Sequence, residues 1–182
     1  MSNINHTTAI PKTLITTYLE MTRRAAFQPA FLPDTSKFSI SRMQTPDVLF
    51  YLFLYQEVGE QWRWFDRLQL NFDDLETILK KPTVTVDVLY MDGVPAGYIE
   101  LDRQGRDTEI AYFGLRSAFF GRGLGKHLLS YGIAQAWEEG AHRIWLHTCN
   151  LDGPQAISNY LKRGFRVYEV VETEMPQTYI DR

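Results

Sequence analysis

One stretch limits what this chain can be: Leu115-Arg-Ser-Ala-Phe-Phe-Gly-Arg-Gly-Leu-Gly-Lys-His-Leu-Leu129. A run of β-formers, Thr108-Glu-Ile-Ala-Tyr-Phe-Gly114, leads into it, and an apolar-periodic segment leads out. Gly121, Gly123 and Gly125 stand at alternating positions on the junction. Glycine lets backbone approach a ligand closely, and a helix start presents unpaired N–H groups at the positive end of a dipole. Strand, glycine turn and helix together predict an anion cradle, most naturally for a phosphate.

The bulk properties narrow the field around that cradle. At 182 residues, the chain 1–182 reads as a single domain with room for a core. A net charge of −3 offers nucleic acid no electrostatic footing, so the phosphate site has to be local. Cys149 is the only cysteine, which excludes internal disulfides and cysteine-cluster metal sites. The remaining candidates His6, His127 and His142 lack ligand spacing, so no metal is expected. The densest apolar run, Val48 to Tyr55, is too short to span a bilayer, so no membrane partner is expected. The opening residues lack the basic and apolar regions of a secretion signal, and a cytoplasmic location is the expectation.

In chain order, residues 1–12 read as a loose polar tail, and Thr13 to Thr22 as a strand. Phe38 to Met43 suggests another. Pro46-Asp47 opens a buried helix over Val48 to Val58, closed by Gly59. Gln61-Trp-Arg-Trp-Phe-Asp-Arg-Leu68 packs aromatics and charges together outside any clean period. Asn71 is placed to cap a helix over Phe72 to Lys81. Val84 to Met91, the Asp92-Gly93 turn and Pro95 to Leu101 form a hairpin pattern. If the next turn centres on Gln104-Gly105, Glu100 and Glu109 fall opposite each other on neighbouring strands. A helix runs from the glycine loop to Gly140, followed by a central strand over His142 to Cys149. A last helix starts at Asp152-Gly-Pro154 and ends at Gly164, and Phe165 to Met175 closes the pattern. Antiparallel strands followed by β-loop-α-β-α-β define a mixed α/β domain.

Two readings of the glycines fail. A Walker A loop needs glycine where Phe120 stands and Ser or Thr where His127 stands. A dinucleotide fingerprint should open the first βα unit and be followed by an acid after the next strand, which here ends His147-Thr-Cys-Asn150. The third fits. Phe120-Gly-Arg-Gly-Leu-Gly125 before a helix, with Asn159-Tyr-Leu-Lys-Arg-Gly-Phe165 further on, resembles the GCN5-related N-acetyltransferase superfamily. The resemblance is firmest over residues 84–175. Glu60 to Leu68 and His147 to Phe165 also look like a bacterial branch of it. In that superfamily the loop usually begins with Gln or Arg, where this chain has Phe120, and Gly153 replaces a usual Asn three residues before Ala156.

The resemblance implies a twisted, mostly antiparallel sheet of about six or seven strands flanked by helices, with an extra N-terminal strand. It implies acetyl-CoA as co-substrate, held by Phe113, Gly114 and Leu115, by the loop Phe120, Gly121, Arg122, Gly123, Leu124, Gly125 and Lys126, and by Ala156. Tyr160 matches the family's general acid, and a backbone N–H near Leu115 should meet the thioester oxygen. An ammonium acceptor has to lose a proton before it attacks, and Glu109 is the expected base with Glu100 beside it. Trp62, Trp64 and Asp66 fall where the acceptor pocket usually forms. The expected activity is direct acetyl transfer to a small-molecule or peptide primary amine, with homodimerisation common in the superfamily. A non-catalytic acyl-CoA sensor and a hydroxyl or longer-acyl transferase stay open. A Cys149–His147 nucleophile is disfavoured, for want of a third orienting group.

Overall fold

The computed structural model describes residues 10–180, so most of the expected N-terminal tail, residues 1–9, lies outside the described residues. Nine residues rich in Thr, Ile and Leu form the first strand, β1 (Thr13–Met21), and this strand is internal to the sheet. The chain then forms β2 (Phe38–Arg42), α1 (Val48–Gly59), α2 (Phe72–Leu79), β3 (Val84–Met91), β4 (Val94–Gln104) and β5 (Asp107–Leu115). Beyond the glycine loop come α3 (Leu124–Glu138), β6 (Arg143–Cys149), α4 (Ala156–Lys162), β7 (Arg166–Glu174) and a final turn, α5 (Gln177–Ile180). Among the described residues seven strands lie in the order β2-β3-β4-β5-β6-β1-β7, and only β5 and β6 run parallel. β1 pairs along both sides, and the Met175 amide donates to the Lys12 carbonyl at 2.9 Å. Lys12 therefore belongs to the ladder, not to a loose tail.

Local chemistry accounts for the element ends. Asp47 accepts from the Phe50 amide and Asn71 from the Asp74 amide, each satisfying an orphan donor of a helix start. Asp92 and Gly93 both have positive φ, the requirement of a two-residue hairpin turn. Two expectations need correcting. The β4–β5 turn centres on Gly105-Arg106, because Gln104 pairs with Asp107. The last helix begins at Ala156, two residues later than Pro154, because Asp152 ties the preceding turn to the end of β6.

Alternate residues of the sheet feed two cores. Leu89, Ile99 and Leu101 join Leu128, Ile133, Tyr160 and Phe165 under α3 and α4. Val86, Val88 and Tyr98 join Tyr51, Leu54 and Leu75 under α1 and α2. Each fully buried aliphatic side chain stabilises by roughly 1.5–3 kcal/mol relative to exposure. A Cβ on Gly132 would lie 2.2 Å from the Ile99 side chain, so α3 sits directly on β4. That close seat holds the glycine loop at the end of β5.

Candidate active site

The parallel pairing of β5 and β6 covers only Asp107 to Glu109 against Arg143 to Trp145. Beyond Glu109 the two strands diverge, leaving their facing backbone edges unpaired up to Leu115 and Cys149. The opening is one end of a cavity of about 990 Å³ that runs from the glycine loop to the segment joining α1 and α2. Among the described residues no helix is long and apolar enough to cross a membrane. Nor does any group of three or more His, Cys, Asp or Glu among them have metal-binding geometry.

At the loop end, α3 starts on Gly123, whose φ of +74° an L side chain rarely adopts and which offers no capping side chain. The first amides of α3 are thus left for a ligand. Phe113, Gly114, Leu115, Phe120, Gly121, Gly123, Leu124, Gly125, Lys126 and Ala156 all line the cavity. Arg122 does not: its guanidinium donates to the Ala118 carbonyl and lies over the Phe119 ring. Lys126 and the first amides of α3 are the kind of donors that a pyrophosphate would need. Gly153 has its own explanation. The Trp62 ring lies 3.2 Å from where a Cβ would stand, so tryptophan fills the space of the usual Asn side chain.

Tyr160 lies in the wall between the two ends. It is 8% exposed, packed edge-on against Phe113 and Phe165. Burial, with Asp152 nearby, pushes its phenol well above the ordinary range, so it is a proton carrier in the neutral form.

The far end is aromatic and acidic. Trp64 packs against Tyr55 and Tyr112, and its Nε1 donates to Asp152 Oδ1 at 3.1 Å. Trp62, Trp64 and Asp66 line the cavity. Glu109 also lines it, with a side chain 15% exposed. Burial and then the neighbouring Asp102 raise its carboxyl above the usual range, while a hydrogen bond from Gln104 pulls the other way.

Glu100 is not where the sequence reading puts it. The turn at Gly105-Arg106 sets Asp102 opposite Glu109, and a β-bulge beyond Leu101 then sets Glu100 opposite Tyr112. Glu100 is fully buried beneath the cavity, accepting from the Tyr51 hydroxyl at 2.5 Å and from Arg67 Nη2 at 2.6 Å. Burial raises its carboxyl, and Arg67 and Tyr51 oppose the rise. The carboxylate beside Glu109 is therefore Asp102, because the turn centres one residue later than the sequence reading placed it. That reading also misses Leu14, Thr16 and Tyr18, which β1 brings to the cavity from the far end of the chain. Cys149 is pushed up to about 11 by burial and by Asp152, which removes it as a nucleophile at neutral pH.

Comparison with known proteins agrees with this architecture. The model of the acetyltransferase (GNAT) family matches residues 51–165. A GCN5-related N-acetyltransferase from Kribbella flavida superposes with a TM-score of 0.63 at 19% identity, over 89% of this chain and 58% of that one. The ribosomal-protein-S18-alanine N-acetyltransferase of Escherichia coli gives 0.57 at 16% identity, over 70% of this chain and 76% of that one. An aminoglycoside acetyltransferase from a soil metagenome, solved with sisomicin, gives 0.57 at 14%, over 69% and 87%. At these identities the structures speak for the fold alone, and the chain spans only 58–62% of three that it matches. The fold is the one these acetyltransferases share. The chain belongs to the acetyltransferase (GNAT) family.

Proposed function

We propose that this protein transfers an acetyl group from acetyl-CoA to a cationic primary amine by direct attack in a ternary complex. The observation that carries the reading is the single cavity in which the glycine-loop amides, Tyr160 and Glu109 all open. Acetyl-CoA supplies an activated thioester carbonyl. The α3 amides and Lys126 hold its pyrophosphate, and the unpaired edge of β5 up to Leu115 lies along the gap that receives the pantetheine arm. Glu109 takes a proton from the ammonium, directly or through one water, and frees the lone pair for attack. Tyr160 donates its hydroxyl proton to the departing sulfur. At the other end Trp62, Trp64 and Tyr112 offer ring faces, and Asp66, Asp102 and Glu109 offer negative charge. That lining suits a cation better than a zwitterion or a neutral alcohol.

The direct test is thiol release from acetyl-CoA across a panel of amines, amino acids, peptides and alcohols. Amine-dependent release supports the reading; CoA binding without release for any acceptor overturns it in favour of a sensor. Two substitutions separate binding from chemistry. Tyr160→Phe should lower kcat by about 10- to 100-fold with CoA affinity within about twofold of wild type, in steady-state kinetics and calorimetry. Gly123→Ala should do the reverse. Its φ of +74° costs alanine roughly 1–2 kcal/mol, so CoA dissociation should rise about tenfold with little change in kcat at saturation.

A further inference from the structure

We infer that His147 is the proton exit of this site, passing to solvent the proton that Glu109 collects. The inference rests on the proposed acetyl transfer. An ammonium that becomes an amide sheds two protons, and the departing thiol keeps one of them. The other has to reach bulk water in every turnover. Glu109 receives it in a wall where its side chain is only 15% exposed. Its surroundings are poor at taking the proton onward. Asp102 and Gln104 face it from β4, Glu100 lies beneath, and Arg67 reaches it from the segment before α2. Two of these groups are acids that favour the protonated form, Gln104 does not titrate, and Arg67 is a permanent cation.

His147 on β6 is different. Its Nε2 lies 4.0 Å from Glu109 Oε1, a gap closed by a small ring rotation or one bridging water. The same side chain is 51% exposed, so one ring connects the cavity wall to solvent. On its other side Tyr18 of β1 pairs with it and packs against the ring at 5.7 Å, fixing the imidazole without taking a hydrogen bond from it. Imidazole is the side chain suited to accept a proton on one nitrogen and release it from the other near neutral pH. The sequence is balanced: the amine N–H bond breaks and a Glu109 O–H forms, then that O–H breaks as His147 Nε2 is protonated. Nδ1 then releases its proton to water, and tautomer exchange resets the ring. No redox partner is needed.

The test uses low buffer concentration, where proton export is slowest. His147→Phe keeps an aromatic ring against Tyr18 but carries no proton, and His147→Gln keeps polarity without titrating. Both should lose about tenfold in kcat while KM for acetyl-CoA stays within about twofold. Added imidazole should restore turnover saturably, and the solvent deuterium isotope effect on kcat should exceed that of wild type. A kcat within twofold of wild type, or a loss that imidazole does not repair, overturns the exit and leaves the transferase reading intact. If wild type itself releases no thiol with any amine, the transferase reading fails first, and the exit falls with it.

Discussion

Glu109→Gln should reduce kcat/KM at pH 7 by about 100-fold or more while CoA affinity stays unchanged, if Glu109 deprotonates the acceptor. The pH profile is the more searching measurement. Burial and Asp102 raise the Glu109 carboxyl in the folded protein, so wild-type activity should fall as pH drops through that raised value, above the ordinary carboxylate range. Asp102→Asn removes the neighbouring negative charge and should move this acidic limb to lower pH. Glu109→Gln should abolish the limb and leave a rate that climbs with pH, because only acceptor already in the free-base form reacts. An ammonium of lysine type reaches that form near pH ~10.4, so the deficit should shrink toward alkaline pH. A uniform deficit at every pH would remove Glu109 from the role of base.

The largest effect on stability is expected at Arg67. Among the described residues its guanidinium is the only cation bonded to Glu100, whose side chain has no exposed surface. Arg67→Met keeps much of the apolar bulk over Tyr112 but leaves a carboxylate buried with one phenol for company. Breaking such a pair costs about 3–5 kcal/mol, read as a drop in urea midpoint. The pH dependence has a definite sign. Burial already raises the Glu100 carboxyl, and removing Arg67 takes away the strongest opposing influence. The folded variant then holds the Glu100 proton more tightly than the unfolded chain, so its stability falls as pH rises through the raised pKa. Against wild type, the deficit should be greatest at pH 7–8 and smaller near pH 5. Arg67→Met/Glu100→Leu should recover most of the loss, since no charge is then buried. An equal deficit at both pH values in the single variant would show that lost packing, not the stranded carboxylate, is responsible.

Much of the site was legible because its signals are local. Gly121 and Gly123 take a positive φ that other residues enter only at a cost, so glycines there signal a turn at the helix start. Asp47 and Asn71 announced α1 and α2 through hydrogen bonds three residues long. Tyr160 was singled out through the family resemblance, one helical turn past Ala156. Glu100 shows the limit of such reading. A turn centred one residue later turned the expected pair into Asp102 and Glu109, an extra residue in β5 then moved Glu100 opposite Tyr112, and strand register is set by the packing of a whole sheet face.

What the sequence determined by itself was the order of elements, the glycine turn with its helix, and the family signature from Phe120 to Phe165. All depend on residues within a few positions of one another. What the tertiary structure decided was everything that depends on strands meeting across the sheet. It set β1 between β6 and β7, so that Tyr18 from the beginning of the chain meets His147 near its end. It filled the space beside Gly153 with Trp62, and it buried Glu100 while leaving Glu109 at the cavity wall. The reason is physical. Helix caps and turns are short-range hydrogen-bonding choices, whereas which carboxylate is buried and which is free follows from how distant surfaces exclude water together.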